Sequence, residues 1–188
     1  KIMMSPLRPE IPIYLAAIGP RNVALAAEIA EGWLPVFYSP FHRRVFESPL
    51  KEGMGRRPAS LPEAGFDVAP TVGVAVGDDL AACFHSLKPN LALYVGGMGA
   101  RGRNFYFDLA CRYGYESQAR VVQDLFLEGA RRKAIEAVPD ELVDEVSLCG
   151  PIPRIRERLQ VWKDSGVTTL IVSTGQIETL RALAELIL

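Results

Sequence analysis

Short apolar runs alternate with segments of helical periodicity along most of the chain. The run Ile11 to Ala17 ends at Gly19-Pro20, and apolar residues then recur at helical spacing from Val23 to Ala30. This order predicts a strand, a turn and a helix. The next apolar run, Trp33 to Phe37, predicts a second strand, and the mixed segment Ser39 to Glu52 predicts an exposed helix. The strand–helix unit is therefore repeated.

Two more strands are predicted later in the chain. The β-branched run Val68 to Val76 precedes Gly77-Asp78-Asp79, which indicates a turn and a helix N-cap. The run Thr168 to Ser173 precedes Thr174-Gly175 and a last apolar helix. Strands that are apolar on both faces and separated by helices are typical of a parallel sheet covered on both sides. The pattern predicts an α/β fold.

A long helical stretch, roughly Leu80 to Ser165, separates the last two predicted strands. Its glycine cluster, Gly96 to Gly99, follows a helix rather than a strand, which favours a helix break or a lid over a nucleotide-binding loop. The stretch exceeds what a crossover between parallel strands needs. We expect one domain over residues 1–188, with a helical insertion at about 79–150 between the last two strands that acts as a lid or interface element.

Four strand–helix units amount to half of a (β/α)8 barrel, whose usual size is about 250 residues. The abrupt start at Lys1, without an initiator methionine, also favours a fragment. Half a barrel leaves two strand edges unpaired and inward apolar side chains uncovered. We expect these apolar edges to be exposed near Tyr14 and Ile171. An open four-stranded sheet is the alternative that the pattern leaves open.

Composition narrows the class of ligand. The chain has 188 residues, 49% hydrophobic and 23% charged, with a formal net charge of −1. This balance gives no reason to expect nucleic acid or a membrane as a partner and favours a small-molecule substrate. Three widely spaced cysteines fit a reducing cytoplasm better than a disulfide framework. Neither they nor the two histidines have ligand-type spacing, so we expect no metal.

The turn after the first predicted strand offers the best local site. Ligands of parallel α/β folds lie beyond the carboxyl ends of the strands. Ala16, Ala17 and Gly19 clear space there, and the helix that begins near Pro20 points free backbone N–H groups at it. Helix N-termini bind phosphate, and Arg21 can add a charge-assisted hydrogen bond. A tight turn shaped by Gly19 and Pro20, without a ligand, is the structural alternative.

The other strand ends carry weaker signals. Pro35, Phe37 and Tyr38 follow the second strand and can form a wall against a planar ring, although such residues are more often ordinary core. The later strand ends offer Gly77-Asp78 and the loop Ser173 to Gln176, where barrels frequently hold a phosphate.

Several segments resemble one known family. The segment Ile11 to Phe37 is similar to the region from the fifth to the sixth strand of the bacterial luciferase-like monooxygenase superfamily, in its F420-dependent oxidoreductase branch. The resemblance continues through FDVAPTVGVAVGDD, LALYVGGMGARGRNFY, VPDELVDEVSLCGP and GVTTLIVSTG. It implies that the chain is the C-terminal half of a luciferase-like (β/α)8 TIM barrel, with strands five to eight. The N-terminal half is then a missing partner, and a homodimer is a further expectation.

The resemblance also implies a cofactor site. In flavin-binding relatives the turn after the fifth strand often reads A-G-S-S-P and holds the cofactor phosphate, and Ala16 to Pro20 are the matching positions here. The implied cofactor-binding residues are Ala17, Ile18, Gly19, Pro20 and Arg21. Because Ile18 and Gly19 replace two hydroxyl donors, the turn agrees better with coenzyme F420 than with FMN.

By this resemblance the protein is an oxidoreductase that transfers a hydride between F420 and an organic substrate. The cofactor supplies the chemistry, while the protein binds, orients and shields it. Groups that handle protons in this superfamily usually lie on the first four strands, so we assign no catalytic residue to this chain. The alternatives are an FMN-dependent luciferase-like monooxygenase and a non-catalytic half-barrel module.

Overall fold

Six strands and nine α-helices make up the part of the chain that the computed structural model describes, which is residue 7, residues 11–61 and residues 63–187. The strands are β1 (Tyr14–Ala16), β2 (Gly32–Leu34), β3 (Asp67–Val68), β4 (Thr71–Val76), β5 (Ser147–Gly150) and β6 (Ile171–Ser173). The helices are α1 (Pro20–Ile29), α2 (Arg44–Met54), α3 (Leu80–Gly97), α4 (Phe105–Arg112), α5 (Glu116–Leu127), α6 (Arg131–Glu136), α7 (Asp140–Glu145), α8 (Ile152–Asp164) and α9 (Ile177–Ile187). The expected domain ends, Lys1 and Leu188, lie outside the described residues.

All strand pairs are parallel, which confirms the predicted α/β class. The strands form two three-stranded sheets, ordered β1-β2-β3 and β5-β4-β6. A parallel bridge between Val36 and Thr71 joins the two sheets. It continues the register of the β2–β3 pair, in which Trp33 lies opposite Val68. The single strand predicted at Val68 to Val76 is thus divided into β3 and β4 at Pro70, which has no N–H to donate to a neighbouring strand. The four predicted strands lie side by side in chain order.

Strand β5 was not predicted. Its four residues pair with the upper half of β4, from Gly73↔Ser147 to Val76↔Gly150, inside the stretch that the sequence predicted to be helical. The predicted insertion at about 79–150 thus consists of helices α3 to α7, which lie between β4 and β5, and of the short strand β5 at its end. The segment SLCG is too short and too poor in β-branched residues to give a strand signal.

The core lies between the sheet and the outer helices. Val72 and Val74 of β4 are buried and belong to one apolar cluster with Trp33, Leu148 and Trp162. The alternate residues of β4 face the other way and are only half-buried. Because successive strand residues point to opposite faces, this second face is the one that would line the inside of a barrel.

The two outer strands keep one open edge each. Among the described residues, β1 pairs only with β2, and β6 pairs only with β4. Tyr14 and Ile171 remain 39% and 41% exposed, as the sequence predicted for the edges of half a barrel. No helix in the described ranges combines the length and the apolar character needed to cross a bilayer.

The glycines near the end of α3 serve helix packing. A Cβ at Gly96 would lie 2.6 Å from Phe126, and one at Gly97 would lie 2.3 Å from the same side chain. Only glycine lets α5 approach this closely. After Gly97 the helix ends, and residues 98–103 form a largely exposed connection to Asn104, which is buried and caps α4.

Candidate functional site

The turn between β1 and α1 presents uncapped backbone donors at the carboxyl end of a strand. Gly19 is the N-cap of α1, and no side chain caps the first turn. Pro20, at the first helical position, has no N–H, and the N–H of Val23 is the first that bonds within the helix, to the carbonyl of Gly19. The N–H groups of Arg21 and Asn22 therefore have no partner within the helix.

Two side chains from elsewhere in the fold hold the carbonyls of this turn. The indole Nε1 of Trp33 donates to the carbonyl of Ala17 at 2.9 Å, and Nη2 of Arg112 donates to the carbonyl of Ile18 at 3.0 Å. Nη1 of Arg112 is buried without a hydrogen-bond partner. Burial lowers the pKa of Arg112, but a guanidinium stays charged in proteins. The positive charge built into the turn is therefore that of Arg112, on α4.

A cavity of about 190 Å³, which we call the turn cavity, opens beside these donors. Its lining residues are Ala16, Ala17, Ile18, Gly19, Asn22, Leu34, Val36, Phe105 and Tyr106. Of the five cofactor-binding residues implied by the sequence, Ala17, Ile18 and Gly19 line it, whereas Pro20 and Arg21 are exposed and do not.

Several residues of this site were not predicted from the sequence. Asn22 lies one position beyond the implied set. Phe105, Tyr106 and Arg112 are on α4, more than 80 residues away in sequence, and no local pattern could have linked them to the turn. Only the fold brings α4 against the first strand–helix connection.

A larger cavity of about 660 Å³ lies at the carboxyl ends of β4 and β6. It brings together Gly77-Asp78 and the loop Ser173 to Gln176, the two weaker candidates from the sequence. No lysine or arginine is among the described residues that line it. A third cavity of about 260 Å³, the inner cavity, shares Ser86, Leu87 and Ser173 with the larger one.

An aromatic cluster of Phe37, Tyr94 and Tyr106 lies between the turn cavity and the inner cavity. Phe37 lines the inner cavity, Tyr106 lines the turn cavity, and Val36 lines both. The rings of Phe37, Tyr94 and Tyr106 meet edge to face, with centroids 4.6 to 6.1 Å apart. Burial raises the pKa of Tyr106, and the nearby Tyr94 raises it further. Both cavities therefore share an uncharged, apolar wall.

Comparisons with known proteins agree on one family. The luciferase-like monooxygenase family model matches residues 2–169. The chain is 45% identical over 187 residues to a Mycobacterium tuberculosis protein that carries the provisional name of coenzyme F420-dependent oxidoreductase, covering 100% of this chain and 54% of that protein. It is 24% identical over 169 residues to the 5,10-methylenetetrahydromethanopterin reductase of Archaeoglobus fulgidus, covering 87% of this chain and 48% of that protein.

A solved structure shows the same fold. The coenzyme F420-dependent tetrahydromethanopterin reductase of Methanopyrus kandleri matches with a TM-score of 0.71 at 23% sequence identity, over 94% of this chain and 49% of that one. The chain thus spans about half the length of the curated relatives and of the solved structure that it matches.

Proposed function

The chain belongs to the luciferase-like monooxygenase family, as its sequence predicted, and we propose on that premise that it forms the F420-binding half of an oxidoreductase. In this proposal the complete barrel, meaning this chain together with the strands that close it, transfers a hydride between F420 and a small organic substrate. The observation that carries the proposal is the 45% identity, across the whole chain, to a protein named as an F420-dependent oxidoreductase.

The geometry of the turn fits the phosphate of such a cofactor. The N–H groups of Arg21 and Asn22 lie at the positive end of the α1 dipole, beside the turn cavity. The Arg112 guanidinium does not line the turn cavity, but its hydrogen bond to the carbonyl of Ile18 places a buried positive charge behind the turn. These donors suit an anion without any hydroxyl side chain in the turn. We therefore assign the phosphate to the turn residues Ala17, Ile18 and Gly19 together with Asn22. In this assignment Pro20 sets the start of the helix, and Arg21 contributes its backbone N–H.

The protein's own part in the reaction is binding, orientation and exclusion of water. F420, when bound, supplies the hydride chemistry. Trp33 and Arg112 fix the carbonyls of the turn, so the helix donors are held in place before a ligand arrives. The apolar wall formed by Phe37, Tyr94 and Tyr106 is suited to a planar ring rather than to a charged group.

The open strand edges imply a partner for this half. β1 and β6 each leave one edge unpaired among the described residues, and the half-buried face of β4 lies between them. We propose that the strands of an N-terminal half pair with these edges and supply the groups that handle protons. A homodimer would then form between complete barrels.

Titration of the complete barrel with F420 and with FMN tests the proposal. We expect saturable binding of F420, followed by changes in its absorbance and fluorescence, and no comparable binding of FMN. Binding of FMN alone would favour an FMN-dependent monooxygenase, and binding of neither would favour a non-catalytic module.

A further inference from the structure

Phe37 has an unusual backbone conformation. Its φ is 54°, and no other non-glycine residue in the described ranges has a positive φ. Side chains other than glycine are strained there, and a bulky aromatic residue more than most. Such strain persists only where the surroundings impose it, and it concentrates at functional positions. A glycine at position 37 would avoid the strain. The presence of a phenylalanine there therefore indicates that its ring has a role.

Hydrogen bonds at Phe37 and at the two residues that follow it hold this conformation. The buried hydroxyl of Tyr113 donates to the carbonyl of Phe37 at 3.0 Å and accepts from the backbone N–H of Ser39 at 3.3 Å. The next side chain, Tyr38, is anchored in the core, where its hydroxyl donates to the carbonyl of Ser165 at 3.1 Å. The turn after β2 is therefore fixed independently of the Phe37 ring.

The strained conformation directs the ring to the boundary between the two cavities. The ring lies edge to face with Tyr94, at 5.3 Å and 83°, and with Tyr106, at 6.1 Å and 78°. It lines the inner cavity, while its neighbour Val36 lines both the inner cavity and the turn cavity. A ligand held by its phosphate at the turn would thus pass Val36 and meet Phe37.

We propose that Phe37 is the specificity-determining wall for the ring of the bound cofactor: it contacts the deazaflavin ring in the inner cavity and sets where that ring rests. This inference rests on the proposed function, since it takes the phosphate to lie at the Gly19 turn. The two ends of the cofactor then depend on different residues, the phosphate on the turn and the ring on Phe37.

Three probes separate these two ends in the complete barrel: F420, inorganic phosphate, and the deazaflavin chromophore without its phosphate-bearing tail. Phe37→Gly removes the ring and relieves the strain. We expect it to weaken chromophore and F420 binding about two- to tenfold, the range for one aromatic contact, and to leave phosphate binding unchanged. Gly19→Val is the matched control, because it should weaken phosphate and F420 binding but leave the chromophore alone.

Two more variants keep the test decisive. Phe37→Leu retains apolar bulk and replaces Phe37→Gly if that variant does not fold by circular dichroism. Tyr113→Phe frees the Phe37 carbonyl, and we expect it to shift the absorbance of bound chromophore in the same direction as Phe37→Gly but by less. Unchanged chromophore affinity and absorbance in folded Phe37→Gly, or in Phe37→Leu where Phe37→Gly does not fold, would overturn the role of Phe37. A parent barrel that binds no deazaflavin would instead overturn the proposed function, and this inference with it.

Discussion

Substitution of Gly19 by valine probes the turn without disturbing the fold. Gly19 has φ −69° and ψ 143°, a region that valine favours and that residues before proline usually adopt. A Cβ there would lie 3.7 Å from the Phe105 ring, an ordinary van der Waals contact. The glycine is therefore not required by backbone geometry. We expect Gly19→Val to cost at most about 1 kcal/mol of folding stability, the loss of a favourable N-cap residue.

The effect on ligand binding should be much larger. The valine methyl groups would extend into a cavity of about 190 Å³, beside the N–H groups of Arg21 and Asn22. A hydrogen bond to a charged group contributes about 1.5–3 kcal/mol. Loss of both N–H contacts to a phosphate should therefore weaken F420 binding by about 3–6 kcal/mol, or about 10²- to 10⁴-fold.

A fluorescence titration of the complete barrel with F420 measures this loss. Gly19→Ala is the matched control, because its single methyl lies at an ordinary contact distance from the Phe105 ring and we expect it to leave both donors open. We expect the alanine variant to bind within about threefold of the parent, the scale of a small packing change. Equal F420 affinity in a folded Gly19→Val variant would refute the phosphate site at the turn, and the loop Ser173 to Gln176 would replace it.

Three further predictions concern the arginines near the turn, the cysteines, and the ion pairs of Asp144. Arg112→Ala should weaken F420 binding at least about tenfold, because one hydrogen bond to the turn and one buried cation are lost. Arg21 is exposed, so Arg21→Ala should change F420 binding little. A larger loss of F420 affinity in Arg21→Ala than in Arg112→Ala would contradict the site. Iodoacetamide at pH 8 should label Cys111 before Cys149: burial raises the pKa of both thiols, but Cys111 is partly exposed, whereas Cys149 is buried and its pKa is raised to about 11; mass spectrometry that finds Cys149 modified first would be inconsistent with this core. Asp144→Asn should lower the free energy of unfolding in urea by about 1–3 kcal/mol, because the Asp144 carboxylate accepts hydrogen bonds from Arg154 and forms an ion pair with Arg158, both on α8; an unchanged midpoint would mean that this network adds no stability.

The strand–turn–helix units near the start of the chain could be predicted from sequence because their signals are local. Gly19-Pro20 marks both the end of β1 and the start of α1, and the apolar spacing after it fits the observed helix Pro20–Ile29. The same signals located three of the residues that line the turn cavity. The periodicity of apolar residues and the positions of glycine and proline are enough to predict an element that follows its own sequence pattern.

The rest of the site depends on contacts between distant segments. Arg112 and Phe105 reach the turn only because the helices between β4 and β5 fold back over the strand ends. Strand β5 has no pattern of its own and forms because the upper half of β4 offers it an unpaired edge. The positive φ of Phe37 likewise results from a hydrogen bond with Tyr113, 76 residues away, which no local propensity encodes.

Light scattering during size-exclusion chromatography tests most directly whether this chain is half of a barrel. The sample is the chain alone, and then the chain refolded with the unmatched half of the Mycobacterium tuberculosis relative. We expect self-association of the chain alone, through the open edges at Tyr14 and Ile171, and a monodisperse one-to-one complex that binds F420 after refolding with the other half. A monodisperse monomer of the chain alone that unfolds cooperatively and gains no F420 binding from the other half would contradict the account.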